Sequence, residues 1–265
     1  MRKILPLLAL LSLPAAAADD FRWQVQVSTV SKYAPVEFVA QLRNDTKAKL
    51  PFQAAGDRPA AELILEAEGK PAVRKPLPKE AVAYKGPAEV EPSQYAWYVS
   101  GDLRHAFGRL GPGRYTLRVA AHGVVTEPAA FEVIDTSVEE ARKDAAAIEG
   151  IEFRVKGKVG ILRNRRKTPF AVLAYGDRKG EPLHAMVVVD QWAGPRRGWT
   201  GPRGLFCGTG LEEVTIAPGE EREIALPDFP DGILRLSVSC CEGEGDAKKP
   251  LDAVTEPFLV DTFAR

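Results

Sequence analysis

The second half of this chain repeats, in order, the short motifs of its first half, and no other feature restricts its fold as strongly. Leu42-Arg43-Asn44 returns 120 positions later as Leu162-Arg163-Asn164, and Pro51-Phe52 returns 118 positions later as Pro169-Phe170. The turn Glu91-Pro92-Ser93 is echoed by Ala217-Pro218-Gly219. Gly113, with Tyr115, Leu117 and Val119 after it, parallels Gly232 with Leu234, Leu236 and Val238. Both halves close alike, Val125-Thr126-Glu127-Pro128 before Phe131 against Val254-Thr255-Glu256-Pro257-Phe258. The first two offsets agree within two residues and the motif order is kept to the end, the mark of a duplicated unit of roughly 120 residues, an ordinary domain size.

Each copy reads as β-structure. Val36, Phe38, Ala40 and Leu42 alternate with Glu37, Val39, Gln41 and Arg43, the period of a strand with one buried face. Tyr95, Trp97 and Val99 alternate too, as do Tyr115, Leu117, Val119 and Ala121. Trp97 and its neighbour Tyr98 point to opposite sides, and core packing is the expected role of both. The 21 prolines and 23 glycines fall between these runs as turn signals, Gly69-Lys70-Pro71 marking a hairpin tip. Between the copies, Ser137 and Glu140 have capping-box spacing and Ala145–Ala147 favour helix, which predicts a helical linker over 136–150 with Gly150 as its left-handed cap. Two roles stand open for it, a spacer or a wedge that fixes the angle between the copies.

Residues 1–18 have the layout of a signal peptide: basic Arg2 and Lys3, an apolar stretch from Ile4 to Leu13, then small residues with Ala16 and Ala18 in A-x-A spacing. Export with cleavage after Ala18 is expected, to the periplasm or the exterior. The apolar stretch is shorter than the ~20 residues needed to span a bilayer. The expected divisions are 1–18, a first copy over 19–135, the linker, and a second copy over 151–265. Formal charge is balanced at 36 basic and 36 acidic residues, so nothing attracts a polyanion globally. The cluster Arg163, Arg165, Arg166 and Lys167, with Arg196, Arg197 and Arg203 beyond, reads as a solvated turn face, because no interleaved aromatics offer base stacking.

At Leu110-Gly111-Pro112-Gly113-Arg114-Tyr115-Thr116-Leu117 the chain resembles immunoglobulin-like domains, in which a tyrosine marks the corner entering the sixth strand. Leu117 stands where an antibody domain has cysteine. The segment is also similar to secreted bacterial sandwiches carrying Leu-x-Pro-Gly-x-Tyr. The resemblance implies an all-β fold of two tandem immunoglobulin-like β-sandwich domains joined by a short helical linker. In the second copy Leu234 occupies the tyrosine's place, so that corner is not expected there.

The chemistry-bearing residues form no recognisable catalytic set. His105, His122 and His184 are far apart and lack the paired spacing of a zinc motif. No serine lies in a Gly-x-Ser-x-Gly elbow, and the glycines from Gly194 to Gly210 lack the Lys-Ser/Thr of a phosphate loop. No enzyme activity, cofactor or metal is expected. Export makes a disulfide plausible among Cys207, Cys240 and Cys241; strand parity turns Cys240 inward, which favours Cys207 with Cys240 slightly over Cys207 with Cys241. The segment 192–207 reads as a long loop carrying Trp192, Arg196, Arg197, Trp199, Arg203 and Phe206, a mixture common on recognition surfaces. The tryptophans either contact a ligand or plug the end of the second sandwich. The sequence is thus consistent with a non-catalytic exported protein that binds a protein or an envelope or surface polymer. Three other classes remain: an inhibitor or accessory module of a secreted enzyme, a periplasmic chaperone, and an enzyme whose site these motifs miss. The layout is similar to pilus-type chaperones, although the helical linker departs from their short elbow.

Overall fold

The computed structural model describes residues 21–51, 61–85, 89–121, 124–144, 149–201, 210–243 and 249–263. Residues 1–20, His122, Arg203, Phe206 and Cys207 lie outside the described residues. The chain divides into two compact units, one running to Thr29 and over Val36–Glu132, the other comprising Val30–Pro35 and Val133 onward.

Among the described residues of the first half there are twelve strands: β1 (Phe21–Val27), β2 (Val30–Ser31), β3 (Glu37–Asn44), β4 (Leu50–Pro51), β5 (Ala61–Ala67), β6 (Val73–Pro76), β7 (Val82–Ala83), β8 (Glu89–Val90), β9 (Tyr95–Asp102), β10 (Gly113–Ala121), β11 (Val124–Val125) and β12 (Ala129–Ile134). A four-residue helix, α1 (Arg104–Phe107), follows β9. One sheet of the first unit has the order β1-β3-β9-β7; the other runs β12-β10-β5-β6. That division of strands is an immunoglobulin-like sandwich. Alternation decides which side chains enter it. Phe38, Ala40 and Leu42 of β3, Leu63 and Leu65 of β5, and Leu117 and Val119 of β10 are buried on the inner face; of the residues between them, Gln41 and Ile64 are covered as well and the others are at least partly exposed. Trp23 and Tyr98 meet edge to face in this core, centroids 5.1 Å apart.

Helix α2 (Val138–Lys143) opens the connection, and its N-terminus carries the capping box: Ser137 Oγ accepts from the Glu140 N–H and Glu140 Oε2 accepts from the Ser137 N–H. The helix closes at Asp144, whose N–H bonds to the Ala141 and Arg142 carbonyls. Gly150 is therefore not its cap. Its φ of +78° serves the turn into the next strand, where its carbonyl accepts from the Arg165 N–H.

The described residues of the second half form ten strands: β13 (Ile151–Lys156), β14 (Val159–Asn164), β15 (Phe170–Ala174), β16 (Val187–Trp192), β17 (Trp199–Thr200), β18 (Glu212–Ile216), β19 (Glu221–Ala225), β20 (Gly232–Glu242), β21 (Lys249–Val254) and β22 (Phe258–Val260). The order β13-β14-β19 faces a sheet β17-β16-β20-β15-β18, with β21 and β22 also paired to β20. Phe153, Leu162, Phe170, Val172, Ile216, Ile224, Leu236 and Val238 form its core.

The repeat extends to individual hydrogen bonds. Asn44 and Asn164 are both 0% exposed. Asn44 Nδ2 donates to the carbonyls of Ala48 and Val90, and its Oδ1 accepts from the Thr46 N–H. Asn164 Nδ2 donates to the carbonyls of Thr168 and Ile216, and its Oδ1 accepts from the Arg166 N–H. Each asparagine carbonyl also accepts from the third residue of a Pro turn, Ser93 at φ +63° or Gly219 at φ +79°. Thr126 Oγ1 accepts from the Val119 N–H and Thr255 Oγ1 from the Leu236 N–H, both at 2.9 Å. The corner differs as the sequence implies: Tyr115 Oη donates to the Gly111 carbonyl at 2.8 Å, and Leu234 offers no hydroxyl.

Along β20 the parity holds. Cys240 is buried, and Cys241 faces the other way, partly exposed. Cys240 Sγ donates to the Val238 carbonyl at 3.4 Å, and burial pushes its thiol up to about 12.

Candidate functional site

The segment expected to be a long loop is, over residues 192–200, a β-hairpin. Its strands β16 and β17 bring Trp192 directly opposite Trp199. Two glycines close the turn, Gly194 at φ +95° and Gly198 at φ +68°. The Gly198 N–H donates to the Gly194 carbonyl at 2.8 Å, and the Ala193 N–H to the Gly198 carbonyl at 3.0 Å. A Cβ at Gly194 would sit 3.2 Å from Ile134 Cγ2, so the turn rests closely against the Ile134 side chain.

The two tryptophans have different places in this hairpin. Trp192 is 3% exposed and clusters with Ala141 of α2 and Ile233 of β20. Tyr33, Val138 and Trp199 pack on that cluster from its margin. The indoles are 5.2 Å apart, and the Arg235 guanidinium lies 4.4 Å over the Trp199 ring. Arg235 Nε in turn donates to Asp190 Oδ2 at 2.9 Å in a largely buried pair. Beneath the turn there is thus a stack of indole, indole, guanidinium and carboxylate. Arg196 and Arg197 stand exposed at its tip, beside Pro195. Of the six loop residues singled out in the sequence, the structure brings four into one hairpin; Arg203 and Phe206 lie outside the described residues.

The other basic cluster is dispersed. Arg165 pairs with Glu152, holding that carboxyl below the usual carboxylate range, and Arg166 Nη2 donates to both oxygens of Glu242 at 2.8 and 2.9 Å. His105 sits in α1 and His184 is exposed. Among the described residues, no three His, Cys, Asp or Glu side chains cluster so as to hold a metal ion, and no helix is long and apolar enough to cross a membrane.

Sequence reasoning missed one surface. Tyr98 is fully buried, but Trp97 is 53% exposed, so core packing does not explain it. The register shifts between Ala40 and Gln41: Ala40 faces Val99 and Gln41 faces Trp97, leaving Tyr98 as the extra residue of a β-bulge. The bulge turns Val99 inward beside Tyr98, while Trp97 shares the solvent face with Tyr95, 46% exposed, and meets the Tyr84 ring edge to face at 5.2 Å.

No protein-family model matches the sequence, and no curated protein matches it. Among solved structures, a two-domain fibronectin type-III segment of chicken tenascin aligns over 89% of this chain and 99% of its own, at 12% identity and a TM-score of 0.21. The CupB2 chaperone of Pseudomonas aeruginosa aligns over 86% and 96%, at 11% identity and 0.21. The CsuC–CsuE chaperone–tip subunit pre-assembly complex of Acinetobacter baumannii contributes a chain aligned over 87% and 97%, at 9% identity and 0.21. Scores this low carry no functional weight, and the fold assignment rests on the strand pairing described above.

Proposed function

We propose that this is an exported, non-catalytic binding protein whose second sandwich presents the Trp192–Trp199 hairpin to a protein partner. The observation that supports this reading most is the division of labour within the hairpin. Its aromatic residues hold a tight turn from below, and its tip offers cationic side chains to solvent. A tip fixed before encounter loses little conformational freedom on binding, and guanidinium groups on it favour an acidic partner surface. The same rigid, exposed turn suits the inhibitor reading, and inhibition assays against secreted hydrolases separate the two.

With the mature protein as bait on envelope extracts, a retained protein should be lost when Arg196 is changed to glutamate and released by salt, while the melting temperature stays unchanged. Equal retention by wild type and Arg196→Glu removes the hairpin from consideration.

Export also bears on the cysteines. We propose the Cys207–Cys240 bridge for the mature protein, closing a loop of about 33 residues worth roughly 3–4 kcal/mol in the chain-entropy account. Protein made in an oxidising compartment and unfolded without reductant should then titrate about one thiol. A count of three rules the bridge out.

A further inference from the structure

We propose that the outward face of the β1-β3-β9-β7 sheet is a binding platform for an uncharged glycan chain, separate from the hairpin. The register places its parts. Gln24 of β1 lies opposite Gln41 of β3, which lies opposite Trp97 of β9; in the next row Arg22, Arg43 and Tyr95 are aligned the same way. Three neighbouring strands at ~4.8 Å spacing make each row about 10 Å across, the length of a short oligosaccharide. Gln41 is only 5% exposed and Gln24 half-buried, so the amide offered to solvent is that of Gln26 at the next outward position along β1, and Tyr84 stands on the far side against Trp97.

The sandwich itself does not call for these aromatics, as its own duplicate demonstrates. Counting from Asn44 and Asn164, the partners of Arg43 and Gln41 are Tyr95 and Trp97, and the partners of Arg163 and Ile161 are Glu221 and Glu223. The second copy therefore has exposed glutamates where the first has exposed rings. It also lacks the bulge, since β14 and β19 pair residue for residue from Val159–Ala225 to Arg163–Glu221. Both the ring pair and the bulge next to Trp97 belong to the first copy alone. Exposed aromatics cost solubility, and a bulge re-aims a side chain where function requires it.

The rings are held in place. Arg43 lies 5.5 Å over the Tyr95 ring, and the Tyr84 hydroxyl is 2.9 Å from Ser100 Oγ. The charges beside them are already matched, Arg43 by Asp45 at 2.9 Å and Arg22 by Glu127 at 3.2 Å. Apart from Glu37 further along β3, what remains is neutral: π-faces that attract the C–H face of a pyranose, and the carboxamides of Gln24 and Gln26, which both donate to and accept from hydroxyls. That complementarity selects an uncharged sugar polymer over an acidic one.

The test is affinity electrophoresis of the mature full-length protein through gels containing hydroxyethyl cellulose, glucomannan or dextran, with polygalacturonate as the acidic counterpart. Retardation is expected in at least one neutral gel. Trp97→Ala should weaken it on the order of tenfold with an unchanged melting temperature, and Trp97→Phe should retain part of it. Glu223→Ala and Arg196→Glu should leave it intact, which separates this face from the hairpin. Unaltered migration in every neutral gel, retardation that survives Trp97→Ala, or retardation by polygalacturonate alone overturns the proposal. So does capture of a protein that depends on Trp97 without any glycan binding.

Discussion

Replacing Asn164 with alanine is expected to lower the stability of the second sandwich by about 3–5 kcal/mol, and Asn44→Ala to do the same to the first. Each asparagine is fully buried and joins the end of its strand to two carbonyls and one N–H across a turn. Alanine leaves those groups without a partner, and each buried orphan costs about 1–3 kcal/mol. For a unit of about 100 residues the midpoint should fall by more than 10 °C, given roughly 4–8 °C per kcal/mol. Thermal unfolding followed by circular dichroism checks this. A loss under about 1 kcal/mol for either variant shows that water can replace the side chain, and the shared device is then not what locks the two copies.

The second large effect concerns Trp192. Truncation to alanine should cost about 3–5 kcal/mol in denaturant unfolding, the usual range for a buried aromatic, because the indole fills a cluster with Ala141 and Ile233. Arg196→Glu, a few positions away at the exposed tip, should shift stability by less than about 0.5 kcal/mol. That contrast tests the division of the hairpin into anchor and reading head. If Trp192→Ala is as stable as wild type yet loses its partner, Trp192 is itself a contact residue and the anchor account is wrong.

The sequence showed more of the fold than of the surfaces. The duplicated motifs gave the tandem arrangement because Leu-Arg-Asn and Val-Thr-Glu-Pro mark hydrogen-bonding positions that a sandwich uses once per copy. What Asn44 and Asn164 do was not legible, since an asparagine before Asp45 or Arg165 also reads as a turn residue. Helix α2 was visible in its capping box, but its end was not, because alanines and Gly150 carry the pattern past the point where Asp144 closes it. Strict alternation put Tyr95, Trp97 and Val99 on one face. One additional residue at Tyr98 sends Val99 inward while Trp97 stays outward, and no periodicity records such an insertion. The hairpin was hidden for a related reason: glycines at 194 and 198 signal a loop equally well whether the flanking tryptophans pair or not.

Hydrogen exchange read by mass spectrometry on the full mature chain tests the tandem sandwich most directly. Slow amides are expected in two matched sets, β3, β9, β5 and β10 in the first half and β14, β19, β16 and β20 in the second. In Asn164→Ala the second set alone should accelerate. Simultaneous loss of protection in both halves, or slow exchange that ignores those strands, would contradict the reading of this protein as two copies of one sandwich.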